Sequence, residues 1–292
     1  MVTRRVFFGS IVASALIGVR TETFAAAPAI AARFRALEKE SGGRLGIAAL
    51  DSESGRHFGY RAAERFPLCS TFKLLAVGAV LARVDQGRER LQRRIRISAG
   101  NLINNSPVTQ QHVGSEGMTL AELCAAAINY SDNTAANLIL AALGGPPAVT
   151  AFARALGDRV TRLDRNEPAV NTAIPGDRRD TTSPQAILDD LRKLALGSAL
   201  SPASRQQLID WLLATKTGAS RLRAGLPASW RFGHKTGSGD HGTANDVGIA
   251  WPPQRRPLLL AVYLTNTAVS PERQDVVHRA VAAAVAETIS PP

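Results

Sequence analysis

The sequence predicts an α+β fold, a five-stranded antiparallel sheet flanked by helices with an all-helical domain inserted into it. Three observations lead there. Strand-like segments occur only towards the two ends of the chain, the links within each group are too short for parallel crossovers, and the middle of the chain is dominated by helical periodicity. Apolar residues at 45% and charged residues at 20% are ordinary globular usage, which excludes extended disorder and collagen-like architecture. With 292 residues there is enough chain for one large domain or two medium ones sharing a core.

Residues 1–27 read as an export signal. Thr3-Arg4-Arg5-Val6-Phe7-Phe8 precedes an apolar stretch over 9–19 and then the small residues Ala25, Ala26 and Ala27. Paired arginines ahead of two phenylalanines look like a twin-arginine signal, with the general secretory (Sec) route as the alternative. A periplasmic or secreted protein follows, with no membrane anchoring after signal removal. No later apolar run reaches the roughly 18 residues of a spanning helix, and the longest, over 258–264, suits a buried strand.

A helix over 30–40 stops at Gly42-Gly43, a C-terminal breaker. Strands over 44–50 and 56–60 flank the turn residues Ser52-Glu53-Ser54-Gly55. Helical periodicity then covers 71–84, 120–129, 134–143, 149–156, 184–196 and 203–213. Between 158 and 183 lies a stretch with no periodicity, and so long an irregular segment inside a compact domain marks a functional loop. Strands over 230–235, 244–251 and 258–265 follow, and a helix over 274–288 closes the chain. Residues 28–64 and 218–292 should therefore form an α/β domain, and 65–217 a helical domain with an Ω-loop at about 162–180. A cleft between the two is the expected place for a site.

The formal net charge of +11 is arginine-driven, since only five lysines occur. The arginines are scattered, with no zinc-finger spacing or RNP-like strand, which argues for a solvated basic surface and against nucleic acid as a partner. His57, His112, His234, His241 and His278 show no paired ligand spacing, so neither a metal nor a cofactor is expected. Cys69 and Cys124 permit one disulfide at most, and their apolar helical surroundings point to two buried free thiols.

Four motifs carry chemistry. In Ser70-Thr71-Phe72-Lys73 the serine and lysine lie one helical turn apart on one face, so the amine reaches the hydroxyl, and a serine needs a base to become nucleophilic. Alone, the pair also reads as a capping serine and a solvated lysine. Ser131-Asp132-Asn133 sits at a helix mouth, where capping competes with a role for its hydroxyl and amide. Lys-Thr-Gly occurs twice, at 216–218 and 235–237, and the second is chosen because it ends a strand. There the small residues of Thr236, Gly237 and Ser238 can present backbone groups to a ligand. Glu167-Pro168-Ala169-Val170-Asn171 lies in the long loop, where Asn171 can help Glu167 hold a water. Arg165 and Asp180 are candidates for an ion pair closing that loop.

In this order the four motifs resemble those of the class A serine β-lactamases, within the penicillin-recognising serine enzymes, and the likeness runs over the whole mature chain. It implies a monomer that opens small-molecule β-lactams, penicillins or cephalosporins, through a serine acyl-enzyme and so gives antibiotic resistance. Ser70 would attack the lactam carbonyl, with its own N–H and that of Ser238 as oxyanion hole. Lys73, or Glu167 through a water, would accept the serine proton. Ser131 would pass a proton to the departing nitrogen, Lys235 would attract the substrate carboxylate, and Asn133 would bind the acylamino side chain. Glu167 with Asn171 would activate the deacylating water. Arg221 resembles the carboxylate-binding arginine of some members. The family also implies a cis Glu167-Pro168 bond.

Departures from the pattern are informative. Asn104-Asn105 replaces a rim aromatic, and the position that pairs with Cys69 in some carbapenem-hydrolysing members is Gly239 here, so that disulfide is absent. The rival reading is a penicillin-binding D-alanyl-D-alanine peptidase, which would lack a deacylating carboxylate such as Glu167. A non-catalytic binder of anionic envelope polymers explains the charge and leaves the four motifs to coincidence.

Overall fold

The computed structural model describes residues 28–289. The expected export signal over 1–27 lies outside them. Five strands, β1 (Arg44–Asp51), β2 (Arg56–Tyr60), β3 (Arg231–Gly239), β4 (Thr243–Trp251) and β5 (Leu258–Thr265), form one sheet in the order β2-β1-β5-β4-β3. Every neighbouring pair is antiparallel, and β1 from the start of the chain lies against β5 from its end.

The apolar runs explain why the sheet is sandwiched. Leu45, Ile47 and Ala49 of β1, with Leu258, Leu260, Val262 and Leu264 of β5, face one core. Ala48 and Leu50, with Leu259, Ala261 and Tyr263, face another. A strand apolar at every position must be covered on both sides. The first face is covered by helices α1 (Pro28–Ser41) and α8 (Pro271–Ile289), with Ile30, Phe34 and Leu37 along one stripe of α1.

The second face meets the helices of the chain's middle. These are α2 (Phe72–Asp85), α3 (Leu120–Asn129), α4 (Asn133–Leu143), α5 (Pro146–Ala155), α6 (Pro184–Ala195) and α7 (Pro202–Leu213). From Phe72 to Leu81 every residue of α2 is buried, so this helix is the axis around which the others pack.

Among the element boundaries that differ from the sequence reading, three have a plain local reason. A 3-10 turn, Cys69–Thr71, precedes α2, so Ser70 sits on the lead-in to the helix. Helix α5 begins at Pro146 because prolines fit the first helical turn, which has no N–H bonds to lose. Strand β3 runs on to Gly239, four residues beyond the expected end, which puts Lys235-Thr236-Gly237 inside an edge strand. There the glycine permits close approach, since a Cβ at 237 would stand 3.0 Å from the Leu68 carbonyl oxygen and 3.2 Å from Thr71 Cγ2.

The stretch over 158–183 holds its shape with polar bonds. Its regular elements are a 3-10 turn, Ala169–Asn171, and a two-residue pairing of Thr181–Thr182 with Phe66–Pro67. Asp180, 1% exposed, closes it: Oδ1 accepts the Asp164 and Arg165 amides at 2.7 and 2.9 Å, and Oδ2 accepts Arg165 Nε at 2.5 Å. The expected Arg165–Asp180 ion pair is therefore present. Cys69 and Cys124 are both buried free thiols, and burial pushes both thiols well above their usual range.

Candidate active site

Cys69 adopts φ +44° and Ser131 φ +58°, in the left-handed region that few L-residues occupy and that concentrates at functional turns. The first turns the chain so that Ser70 projects at the mouth of α2. The second aims Ser131 inwards from the link between α3 and α4. Asp132 between them is structural: its Oδ1 caps α4 through the Ala135 amide at 2.8 Å, and its Oδ2 takes the amides of Val108 and Thr109. Capping thus accounts for the middle residue of the Ser-Asp-Asn triplet, while its neighbours face the cleft.

Lys73 Nζ is the hub. It donates to Ser70 Oγ at 2.9 Å, to the Ser131 carbonyl at 2.8 Å and to Asn133 Oδ1 at 2.8 Å, and stands 2.9 Å from Glu167 Oε1. Ser70 Oγ in turn donates to Glu167 Oε1 at 3.0 Å. Lys235 Nζ reaches Ser131 Oγ at 3.0 Å from the strand side. Two hydroxyls, two amines and a loop carboxylate, spread over more than 160 positions of sequence, therefore share one hydrogen-bonded cluster.

Both lysines are fully buried, and the electrostatics follow from that. Burial disfavours the ammonium of Lys73 and lowers its pKa, against the pull of the adjacent Glu167 carboxylate. Lys235 is pushed well below the ordinary lysine range by burial first and then by the Lys73 charge, with Glu167 opposing.

Glu167 is held at three points. Its amide donates to Asn137 Oδ1 and its carbonyl accepts from Asn137 Nδ2, each at 2.9 Å, while Asn171 Nδ2 donates to Oε2. The Glu167-Pro168 peptide is cis. Asn133 Nδ2 gives one N–H to the Asn104 carbonyl at 3.1 Å and has a second to offer a ligand.

In front of this cluster lies a cleft of about 340 Å³. Ser70, Ser131, Asn133 and Asn171 line it on the helix and loop side; Thr236, Gly237, Ser238 and Arg221 line it on the strand side. Lys73, Glu167 and Lys235 sit behind it, buried. All eleven residues singled out in the sequence thus lie at or directly behind one cavity. Arg221 is anchored at its far end, with Nη1 on the carbonyls of Gly237 and Asn245 at 2.9 Å each and Nη2 on Ser238 Oγ at 2.9 Å.

Several site residues escaped the sequence reading. Asn137 is one, although its spacing of four from Asn133 on a helix puts both on one face. Tyr130, 43% exposed, supplies a rim aromatic that Asn104-Asn105 does not. The first Lys-Thr-Gly is also not remote: Thr217 and Gly218 line the cleft, and Thr217 Oγ1 lies 2.7 Å from Thr236 Oγ1. Asn245 ties β4 to the chain just before the nucleophile, donating to the Pro67 carbonyl at 2.9 Å. Gly239 does face Cys69, since a Cβ there would stand 2.7 Å from its Sγ. Among the described residues no group of three or more His, Cys, Asp or Glu side chains is placed to hold a metal.

Known proteins are similar to this chain in sequence and in fold. The model of the β-lactamase enzyme family matches residues 29–289. β-Lactamase CTX-M-8 of Citrobacter amalonaticus is 50% identical over 267 residues, covering 91% of this chain and 90% of its own. β-Lactamase OXY-2 of Klebsiella oxytoca is 51% identical over 243 residues, 83% of each chain. Among solved structures, an ancestral (GNCA) class A β-lactamase superposes with a TM-score of 0.88 at 60% identity, covering 89% of this chain and all of that one. The putative class A β-lactamase PenP from Rhodopseudomonas palustris gives 0.88 at 56% identity, with 89% and 100% coverage.

Proposed function

The chain belongs to the class A β-lactamases, and from that membership we propose how its own residues divide the work. It is a hydrolase that opens the β-lactam amide through a serine acyl-enzyme, the activity behind β-lactam resistance. Ser70 is the nucleophile. The observation that carries this reading is that Ser70 Oγ has Lys73 Nζ at 2.9 Å and Glu167 Oε1 at 3.0 Å in the buried wall of a cleft. In that arrangement the buried Lys73 amine, whose pKa burial lowers, and the Glu167 carboxylate both stand within hydrogen-bond reach of the serine proton, so acylation has two bases to draw on.

The oxyanion forming on the lactam carbonyl is met by the backbone amides of Ser70 and Ser238. Ser131, hydrogen-bonded to Lys235, hands a proton to the departing nitrogen and is replenished through Lys73 Nζ, 3.3 Å from its hydroxyl, with the proton that Ser70 gave up directly to Lys73 or by way of Glu167, so the carboxylate is unprotonated for the second step. Asn133 offers its remaining N–H to the acylamino side chain. The substrate carboxylate lies towards Thr236 and Arg221, whose planar guanidinium suits it. Glu167 and Asn171 then polarise a water against the ester, and the enzyme is released.

We assign the two lobes as 28–64 with 218–292, and 65–217, the cleft lying between them, and infer an exported monomer without a membrane anchor after signal removal. The D-alanyl-D-alanine peptidase alternative has no use for a carboxylate held this close to the nucleophile. Intact-mass spectrometry after mixing with benzylpenicillin tests the division of roles. The unsubstituted enzyme should show no lasting adduct, Ser70→Ala none at all, and Glu167→Ala a stable one. Rapid turnover by Glu167→Ala would remove Glu167 from the second half-reaction.

A further inference from the structure

Strand β3 has two faces. Lys235 looks into the active-site cluster, whereas His234, the residue before it, looks the opposite way, towards Gly218 and the chain that carries Arg221, since a Cβ at 218 would stand 3.3 Å from His234 Cε1. His234 has room there because Gly248 lies across from it: a Cβ at 248 would come within 2.7 Å of His234 Cβ and 2.5 Å of the Phe232 ring. The imidazole stacks on Phe232, 4.8 Å between centroids, and its Nδ1 lies 2.8 Å from Asp246 Oδ1. Asp246 is fully buried, and its other oxygen accepts the Leu222 amide at 3.3 Å. That amide belongs to the peptide immediately following Arg221.

We propose that the buried His234–Asp246 pair positions Arg221, setting where its guanidinium stands at the carboxylate end of the cleft. The proposal rests on the reading of Arg221 given above. A carboxylate sealed from water must be fully partnered, and here one oxygen takes the imidazole and the other the backbone. Arg221 has φ −83° and ψ −130°, outside the helix and strand regions, and ψ determines where the following N–H points. Asp246 is the acceptor that receives it. The peptide so held directs the Arg221 side chain past Asp275, which takes Nε at 3.0 Å, to the Gly237 and Asn245 carbonyls. His278 of α8 is buried beside the same charges, its Nδ1 bonded to the Gln274 carbonyl. Removing the imidazole leaves Asp246 free to rotate off the Leu222 amide, and the guanidinium loses its aim without losing its charge.

A double-mutant cycle tests this. In a Ser70→Ala background, which binds without reacting, His234→Ala should raise the Kd for benzylpenicillin about tenfold. With Arg221→Ala also present, the same change should raise it less than about twofold. In the active enzyme KM should rise while kcat falls less than about threefold, and benzylpenicillin methyl ester, which has no carboxylate, should be indifferent. His234→Asn, which keeps a donor towards Asp246, should recover part of the loss and covers the case in which the alanine variant does not fold. Equal penalties with and without Arg221, or an equal penalty on the ester, overturn the proposal, as does Kd unchanged while Tm falls. Failure of the unsubstituted enzyme to hydrolyse penicillin would instead count against the hydrolase reading, and the binding cycle stands apart from it.

Discussion

The two walls of the cleft hold their reacting groups by different physics. Ser70 and Lys73 sit at the head of a helix buried on every side, so their placement is set by close packing of apolar side chains. Glu167 rides on a loop with little regular structure, placed by the Asp180 closure, by Asn171 and by the paired amide bonds of Asn137. Packing responds to lost volume over a wide neighbourhood, whereas a hydrogen-bonded clasp fails at one point. The nucleophile should therefore be lost only with the fold, and the deacylating carboxylate can be lost with the fold intact.

Substitutions can break or sharpen this contrast. The largest effect belongs to the loop: Glu167→Ala should slow acyl-enzyme breakdown by about 10³-fold with Tm nearly unchanged, read from single-turnover decay of the adduct. Next, on the helix side, Leu75→Ala in α2 should cost roughly 2–5 kcal/mol in urea denaturation while kcat per folded molecule stays close to normal. Were Leu75→Ala to spare stability and stall the acyl-enzyme, the contrast would be inverted. Asn137→Ala removes both amide bonds to Glu167 and should lower kcat by about tenfold through slower deacylation, with acylation little changed.

The last test concerns the root of the loop and is read against pH. Asp190 of α6 is fully buried beside Asp158, where the loop begins; burial and that neighbour push its pKa up to about 9 from 3.8. Between those two values the folded chain keeps a proton that the unfolded chain has released, so stability falls as pH rises from about 4 to about 9. Asp190→Asn deletes the titration. Its Tm should exceed that of the unsubstituted protein at pH 8, and the advantage should shrink steadily towards pH 5. A constant offset across this range would show that Asp190 does not titrate in that window.

How far the sequence discloses such a site depends on whether the contact is local. Ser70 and Lys73 are legible because one helical turn joins them, and Arg165 and Asp180 because they bracket a segment with no periodicity. Asn137 was within reach of the same reasoning, given Asn133 four residues earlier, yet its partner is 30 positions away on a loop. The His234–Asp246 pair needed the strand register: a tight turn after Gly239 sets Thr236 across from Asp246, and no propensity scale reports that. The end of β3 differs from the sequence reading for a related reason. Glycines usually signal a turn, and only the backbone of residue 68 pressing against position 237 reveals that the strand continues.

The pairing of the first and last helices on one side of the sheet reaches into practical use. Arg33 of α1 touches Glu287 of α8, so the ends of the described chain emerge together on the side turned from the catalytic wall. A tether fused at either end would leave the cleft unshadowed. On a sensor chip or a resin, molecules grafted through either terminus should keep their openings towards the liquid and admit antibiotic as freely as the dissolved enzyme does.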